Sequence, residues 1–195
     1  LKVRRSEFVL SAVAFLGVAV LGVLEGIVVA VVLSLANFIR RAWRPHDAVL
    51  GRIDGQKGYH DTSRNEDART IPGLVILRFD APLFFANADH FRRRAHDVID
   101  GAPDPAEWLL IAAEPITDID TTGAEALEGL LDDLDREGVT VAFAELKDPV
   151  ADRLRRYGLY DRIGGERCFP TLGRAIDGFV EATDSDWVDW SDRDR

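Results

Sequence analysis

Between Phe8 and Ile39 the chain is almost wholly apolar, broken only by Ser11, Glu25, Ser34, Asn37 and several small residues. As one helix this stretch would run for about 32 residues and roughly 48 Å, against a hydrocarbon core of about 30 Å. It is too long for a secretory signal and lacks the usual cleavage pattern. The flanks decide its form. Lys2, Arg4 and Arg5 precede it, and Arg40, Arg41 and Arg44 follow it. Basic residues stay on the cytoplasmic side, so both ends belong there and the segment is expected to be a hairpin of two helices. Its turn is expected near Gly22 to Gly26, around Glu25, leaving limbs of about 15 residues, too short for an ordinary lipid-exposed span. Such limbs fit beside longer helices. A buried hairpin of a soluble protein is the competing reading, but soluble helices carry a polar face that this stretch lacks.

An ionisable side chain inside an apolar segment is a functional candidate by default, so Glu25 is singled out. At a hairpin turn it would be either solvated or engaged in a polar contact. Trp43 stands where an interfacial anchor is expected.

From Ala48 the composition changes abruptly. Ala48 to Ile53 reads as a strand, Asp54 to Thr70 as a polar, Gly-bearing loop, and Leu74 to Phe79 as a second strand entered through Pro72-Gly73. A helix follows, ending near Ile99, with Asn87 as a candidate N-cap. Trp108 to Ala113 is a short apolar run that reads as a strand buried on both faces. After Asp118-Ile119-Asp120-Thr121-Thr122-Gly123 comes an amphipathic helix. In it Ala126, Leu127, Leu130, Leu131 and Leu134 recur at the helical period, with Asp120 or a neighbouring Thr able to cap it. Val139 to Leu146 reads as another buried strand, Val150 to Tyr157 as a short helix behind Pro149, and Leu172 to Ala182 as a last helix. Strands alternating with helices predict an α/β fold with a mixed, mostly parallel sheet of about four to five strands. The expected organisation is a hairpin over 1–44, an α/β domain over 45–182 and an acidic mobile tail over 183–195.

Composition excludes several functions. A net charge of −10 argues against a nucleic-acid partner, whose phosphates would be repelled. A lone Cys168 excludes an internal disulfide and a thiolate metal cluster. His90 and His96 stand six apart, off the spacing of a helical ligand pair, so no metal and no cofactor is expected. Asp118 and Asp120 could form an acid/base pair, but no second cluster of catalytic residue types accompanies them, and no enzyme is expected. Arg92, Arg93 and Arg94 form a basic run that would either meet anionic head groups or be a solvated helix face. The chain lacks Met and opens at Leu1, which reads as part of a longer protein.

Two motifs carry a family resemblance. Asp120-Thr121-Thr122-Gly123 at a helix start resembles the core of the STAS domain, shared by anti-sigma-factor antagonists and SulP-type anion transporters. Leu77-Arg78-Phe79 followed by Pro82 to Asn87 resembles a run that SulP transporters carry at this place, and Phe38 to His46 resembles the junction after their last membrane helices. The resemblance implies the C-terminal part of an inorganic anion transporter, of sulfate or bicarbonate class. Its last membrane hairpin would pack on the remainder of the membrane domain within the lipid bilayer. Its cytoplasmic STAS domain would regulate or assemble the transporter, expected as a homodimer and multi-pass in the cell (inner) membrane. No substrate-binding residue is implied here. By analogy with the antagonists, Thr122 would be the phosphorylated hydroxyl, with Thr121, Asp120 and Gly123 beside it. The alternative implied is a membrane-tethered STAS signalling module switched by phosphorylation at Thr122.

Overall fold

A computed structural model of the chain describes residues 22–183 and 185–189 together with Phe8, Ala12, Val13 and Phe15. The chain divides into two compact units, Leu1–Arg44 and Pro45–Arg195.

In the first unit the main described element is helix α1 (Val23–Trp43). Its 21 residues, at 1.5 Å each, span roughly 30 Å, the thickness of a hydrocarbon core. The sequence leads to a limb of about 15 residues; the helix is longer because it starts at Val23, inside the expected turn. Glu25 therefore lies in the first helical turn, where the helix dipole favours a carboxylate, and its side chain is exposed. Val23, Leu24, Ile27, Val28, Val31, Val32, Leu35 and Phe38 are exposed around the helix. By length and composition, Val23–Arg40 could cross a membrane. Phe8, Ala12, Val13 and Phe15 are helical, and the rest of the first limb lies outside the described residues.

The second unit is an α/β sandwich around six strands: β1 (Asp47–Arg52), β2 (Tyr59–Asp61), β3 (Leu74–Phe79), β4 (Trp108–Ala112), β5 (Thr140–Ala144) and β6 (Cys168–Phe169). Their order is β2-β1-β3-β4-β5-β6. β1 is antiparallel to β2 and to β3, whereas β3/β4, β4/β5 and β5/β6 are parallel. The sheet is thus mixed and mostly parallel, with six strands where the sequence suggests four to five. β2 falls in the stretch expected to be loop, and β6 is too short to carry a periodicity.

Successive strand residues point to opposite faces, and β4 feeds two cores in this way. Leu109 and Ile111 join the cluster under helices α2 (Ala88–Asp100), α3 (Thr121–Glu137), α4 (Asp148–Arg156) and α5 (Leu159–Ile163). Leu110 and Ala112 face α6 (Leu172–Thr183) on the other side. On α3 the buried stripe is Ala124, Leu127, Leu130, Leu131 and Leu134; Ala126 lies at its half-buried margin. Residues 185–189 belong to the stretch expected as an acidic tail. Trp187 packs on the α6-side core, and the Asp189 carboxylate receives the Arg52 guanidinium at 2.6 Å.

Candidate functional site

The two motifs singled out in the sequence meet at one junction. The loop after β3 runs beside the segment leading into α3, with Leu83 paired in parallel to Ile119. The Leu83 N–H donates to the Asp118 carbonyl at 3.0 Å, and the Asp120 N–H donates back to the Leu83 carbonyl at 3.0 Å. Asp120 is the N-cap of α3: its Oδ1 accepts the Gly123 N–H at 2.7 Å. Its Oδ2 accepts the Phe85 N–H at 3.0 Å, so a single carboxylate clamps both motifs. Gly123 is required by proximity. A Cβ there would lie 2.7 Å from the Leu83 carbonyl oxygen, inside contact distance.

Asn87 stands at the N-cap position of α2 but does not cap it with its side chain. Its carboxamide turns back into the loop, accepting the Phe84 N–H at 3.0 Å and donating to the Pro82 carbonyl at 2.9 Å. The side chain is completely buried, so it closes the Pro82–Phe84 turn where water cannot. The correction has a simple cause. The first amide of α2 already has a partner, the Ala88 N–H donating to the Phe84 carbonyl at 2.9 Å, so the carboxamide serves the Phe84 N–H and the Pro82 carbonyl instead.

Thr121 and Thr122 follow the cap and are exposed, and neither hydroxyl enters a hydrogen bond among the described residues. Phe85 stands beside the same carboxylate with its ring 73% exposed. Asp118 pairs with Arg153, and its Oδ1 also accepts the Ile119 N–H at 2.8 Å. Arg153 donates in addition to the Ile119 carbonyl at 3.0 Å. Both carboxylates of the suggested acid/base pair are therefore engaged by structural donors. Arg153 was not singled out from the sequence, where it is one arginine among several on a polar helix face.

The other candidates are dispersed. Glu25 lies on α1 in the first unit, and the Asp120–Gly123 motif belongs to the second. The Arg92–Arg94 run is not one patch: Arg92 pairs with Asp133, Arg94 with Asp47, and only Arg93 is exposed. Arg92, with help from His96 and Arg136, holds the Asp133 carboxyl below its ordinary range. Burial pushes the Cys168 thiol up, against thiolate formation. Among the described residues no three His, Cys, Asp or Glu side chains converge as metal ligands.

Comparison with known proteins matches this geometry to a family. The STAS domain pattern matches residues 65–175. A probable sulfate transporter of Mycobacterium tuberculosis is 42% identical over 176 residues, covering 90% of this chain and 31% of the relative. Sulfate transporter 1.3 of Arabidopsis thaliana is 32% identical over 184 residues, covering 90% of this chain and 28% of that protein. The fold is shared with the murine solute carrier 26 family member A9 anion transporter in its inward-facing state. That match has a TM-score of 0.78 at 20% identity, over 92% of this chain and 29% of the other. The chain thus spans less than a third of the length of the curated relatives it matches.

Proposed function

The chain belongs to the STAS domain family, and from that premise we propose that it is the C-terminal part of a SulP-type inorganic anion transporter, with sulfate as the leading cargo. The observation that carries the reading is the 42% identity to a probable sulfate transporter over 90% of this chain, which extends beyond the STAS pattern itself. The apolar α1, flanked on its C-terminal side by Arg40, Arg41 and Arg44, supports a membrane segment whose end faces the cytoplasm. On this reading the STAS unit is a cytoplasmic regulatory or assembly module in a homodimeric transporter of the cell membrane. Glu25 is a polar residue of the membrane hairpin, and no substrate-binding residue lies in this stretch. The protein transports rather than catalyses, in keeping with relatives named as transporters.

Within the module, exposed Thr122 is the hydroxyl we assign to regulatory phosphorylation, with Asp120 and Gly123 fixing the helix start and Thr121 beside it. Placement at a helix N-terminus suits a phosphate. Sequence relatives among sulfate transporters favour the transporter reading over a membrane-tethered STAS signalling module switched at Thr122.

The test is uptake of labelled sulfate, then bicarbonate, into vesicles bearing the complete transporter, with and without residues 47–195. Uptake that requires the transporter and changes on deletion supports the proposal. No uptake of either anion, together with capture of a kinase-like partner by the STAS unit, overturns it.

A further inference from the structure

At the head of the second unit, His46 sits among charged groups drawn from separate segments of the chain. Its Nδ1 lies 3.0 Å from Oδ2 of Asp80, just past β3, and its Nε2 lies 3.2 Å from Nη2 of Arg64, in the loop after β2. A carboxylate only accepts and a guanidinium only donates. The ring is therefore neutral, with its hydrogen on Nδ1 and a lone pair on Nε2. The backbone holds the same pair together, the Asp80 N–H donating to the His46 carbonyl at 2.9 Å.

A third group faces the same Nε2. Asp61, at the end of β2, has only 9% of its side chain exposed. Its Oδ1 accepts the Ser63 N–H at 2.8 Å and the Ser63 hydroxyl at 2.6 Å. Its Oδ2 is buried and accepts no hydrogen bond among the described residues. Arg64 Nε lies 3.4 Å from that oxygen, and His46 Nε2 lies 3.9 Å from it. Arg64, 69% exposed, can swing into water, whereas a buried carboxylate oxygen must find its donor within the protein. Of the other charged and titratable groups on neighbouring elements, Arg78 holds Asp80 at 2.7 Å, and Arg94 of α2 holds Asp47. The ring of His90 of α2 lies 6.1 Å from that of Phe79. His60 precedes Asp61 on β2 and so faces the other side of the sheet.

We infer that His46 is a proton-operated latch on the first strand after α1: a proton taken up from water at Nε2 displaces Arg64 and gives the ring a second N–H, which Asp61 Oδ2 accepts. A closure of about 1 Å brings the two atoms to the length of a charge-assisted hydrogen bond. The imidazolium then joins Asp80 to Asp61, and with them the start of β1, the end of β2 and the end of β3. The contact given up, between the ring and Arg64, is exposed and weak, whereas the bond gained serves a buried, charged acceptor. Asp61 is charged to receive it, because the Ser63 hydroxyl above all holds its carboxyl below the ordinary range. The imidazolium meets both carboxylates only in the folded chain, so the latch closes as pH falls through the imidazole range and opens as pH rises. His46 follows Arg44, the C-cap of α1, by two residues, so the latch grips the strand that continues from α1. It depends on the geometry of the second unit alone and is independent of the transport reading.

The test uses the 195-residue chain in mild detergent, isotope-labelled at its histidine nitrogens and followed by NMR from about pH 8 to about pH 5.5. At the upper end His46 should carry its hydrogen on Nδ1, and at the lower end on both nitrogens. The reporters of closure are the Thr62 N–H, which donates to the Val49 carbonyl at 3.0 Å, and the Asn65 N–H, which donates to the Asp61 carbonyl at 3.1 Å. Their hydrogen-exchange protection, corrected for the intrinsic rate, should rise about tenfold over the same interval. His46→Gln and Asp61→Asn should each abolish that rise, and Arg64→Ala, which removes the competing cation, should keep it. An Nε2–H tautomer at the upper end overturns the inference. So does a rise that survives His46→Gln or Asp61→Asn, is lost with Arg64→Ala, or is absent from the wild type.

Discussion

Gly123→Ala tests whether the junction depends on the approach of two backbones. The added Cβ would lie 2.7 Å from the Leu83 carbonyl oxygen and 3.0 Å from the Leu83 Cβ. Relief requires the start of α3 to withdraw by roughly 0.7 Å, to the 3.4 Å of ordinary contact. Such a movement stretches the Asp120 N–H to Leu83 bond from 3.0 Å beyond hydrogen-bonding range and strains the Asp120 contact to Phe85. Overpacking of this kind costs about 1–3 kcal/mol, offset by the roughly 0.8–1 kcal/mol that Ala gains over Gly in a helix. Because the Asp120–Leu83 hydrogen bond is lost as well, the cost falls in the upper part of that range, about 2–3 kcal/mol, and the net expectation is a loss of about 1–2 kcal/mol, or a melting temperature lower by about 3–6 °C for a chain of this size. Gly129→Ala on the same helix is the control. Its Cβ would meet only the far end of Arg92, at 3.0 Å, and that guanidinium can swing aside. It should be neutral or stabilising by up to about 1 kcal/mol. Both are read by circular dichroism melts of the whole chain in mild detergent, where α1 contributes equally. A Gly123→Ala variant as stable as the wild type would refute the reasoning. So would equal losses in both variants.

Asn87→Ala removes the partner of the Phe84 N–H and of the Pro82 carbonyl in a partly buried turn and should cost about 1–3 kcal/mol in urea unfolding, with an unchanged denaturant slope. Acid stability should follow Asp133, whose carboxyl is drawn below its ordinary 3.8 chiefly by Arg92, and Asp61, lowered chiefly by the Ser63 hydroxyl. A depressed carboxylate contributes stability above its unfolded value and loses it as pH falls through the folded one, so stability should drop below about pH 4, and Asp133→Asn should flatten that drop in pH-dependent unfolding. Thr122→Ala and Thr122→Glu should each change the melting free energy by less than about 0.5 kcal/mol, because the exposed hydroxyl has no partner among the described residues; a larger loss would give Thr122 a structural role.

What was legible in the sequence was what periodicity and chain-local chemistry encode. The run Trp108–Ala112 is apolar on both faces because both faces are buried, and α3 carries its stripe at the helical period. Asp120 was readable as a cap because an N-cap serves backbone groups three residues away. β2 was missed since Tyr59–Asp61 is held by pairing with Leu50–Arg52, a contact that leaves no pattern in three residues. Asn87 was misjudged for a related reason: helix start and loop turn compete for the same carboxamide, and the helix start is already served by the Phe84 carbonyl. The docking of Trp187 and Asp189 was invisible because the Arg52 fork lies 137 residues away in the chain.

Asp120 spends one oxygen on Gly123 and the other on Phe85, 35 residues upstream, so capping α3 and holding the Pro82–Asn87 loop are a single act. With the cap supplied by Asp120 and Asp118 already matched to Arg153, the two hydroxyls that follow enter no hydrogen bond among the described residues. Phe85 is exposed beside that carboxylate and is held to it through its backbone N–H. Perturbing Asp120 must alter the backbone that positions Phe85, whereas perturbing Phe85 alone leaves the cap of α3 intact. A double-mutant cycle between Thr122→Glu and Phe85→Ala on transport, with Asp120 unchanged, would measure that coupling directly. Strictly additive effects would mean that the hydroxyl and the aromatic ring act on different partners.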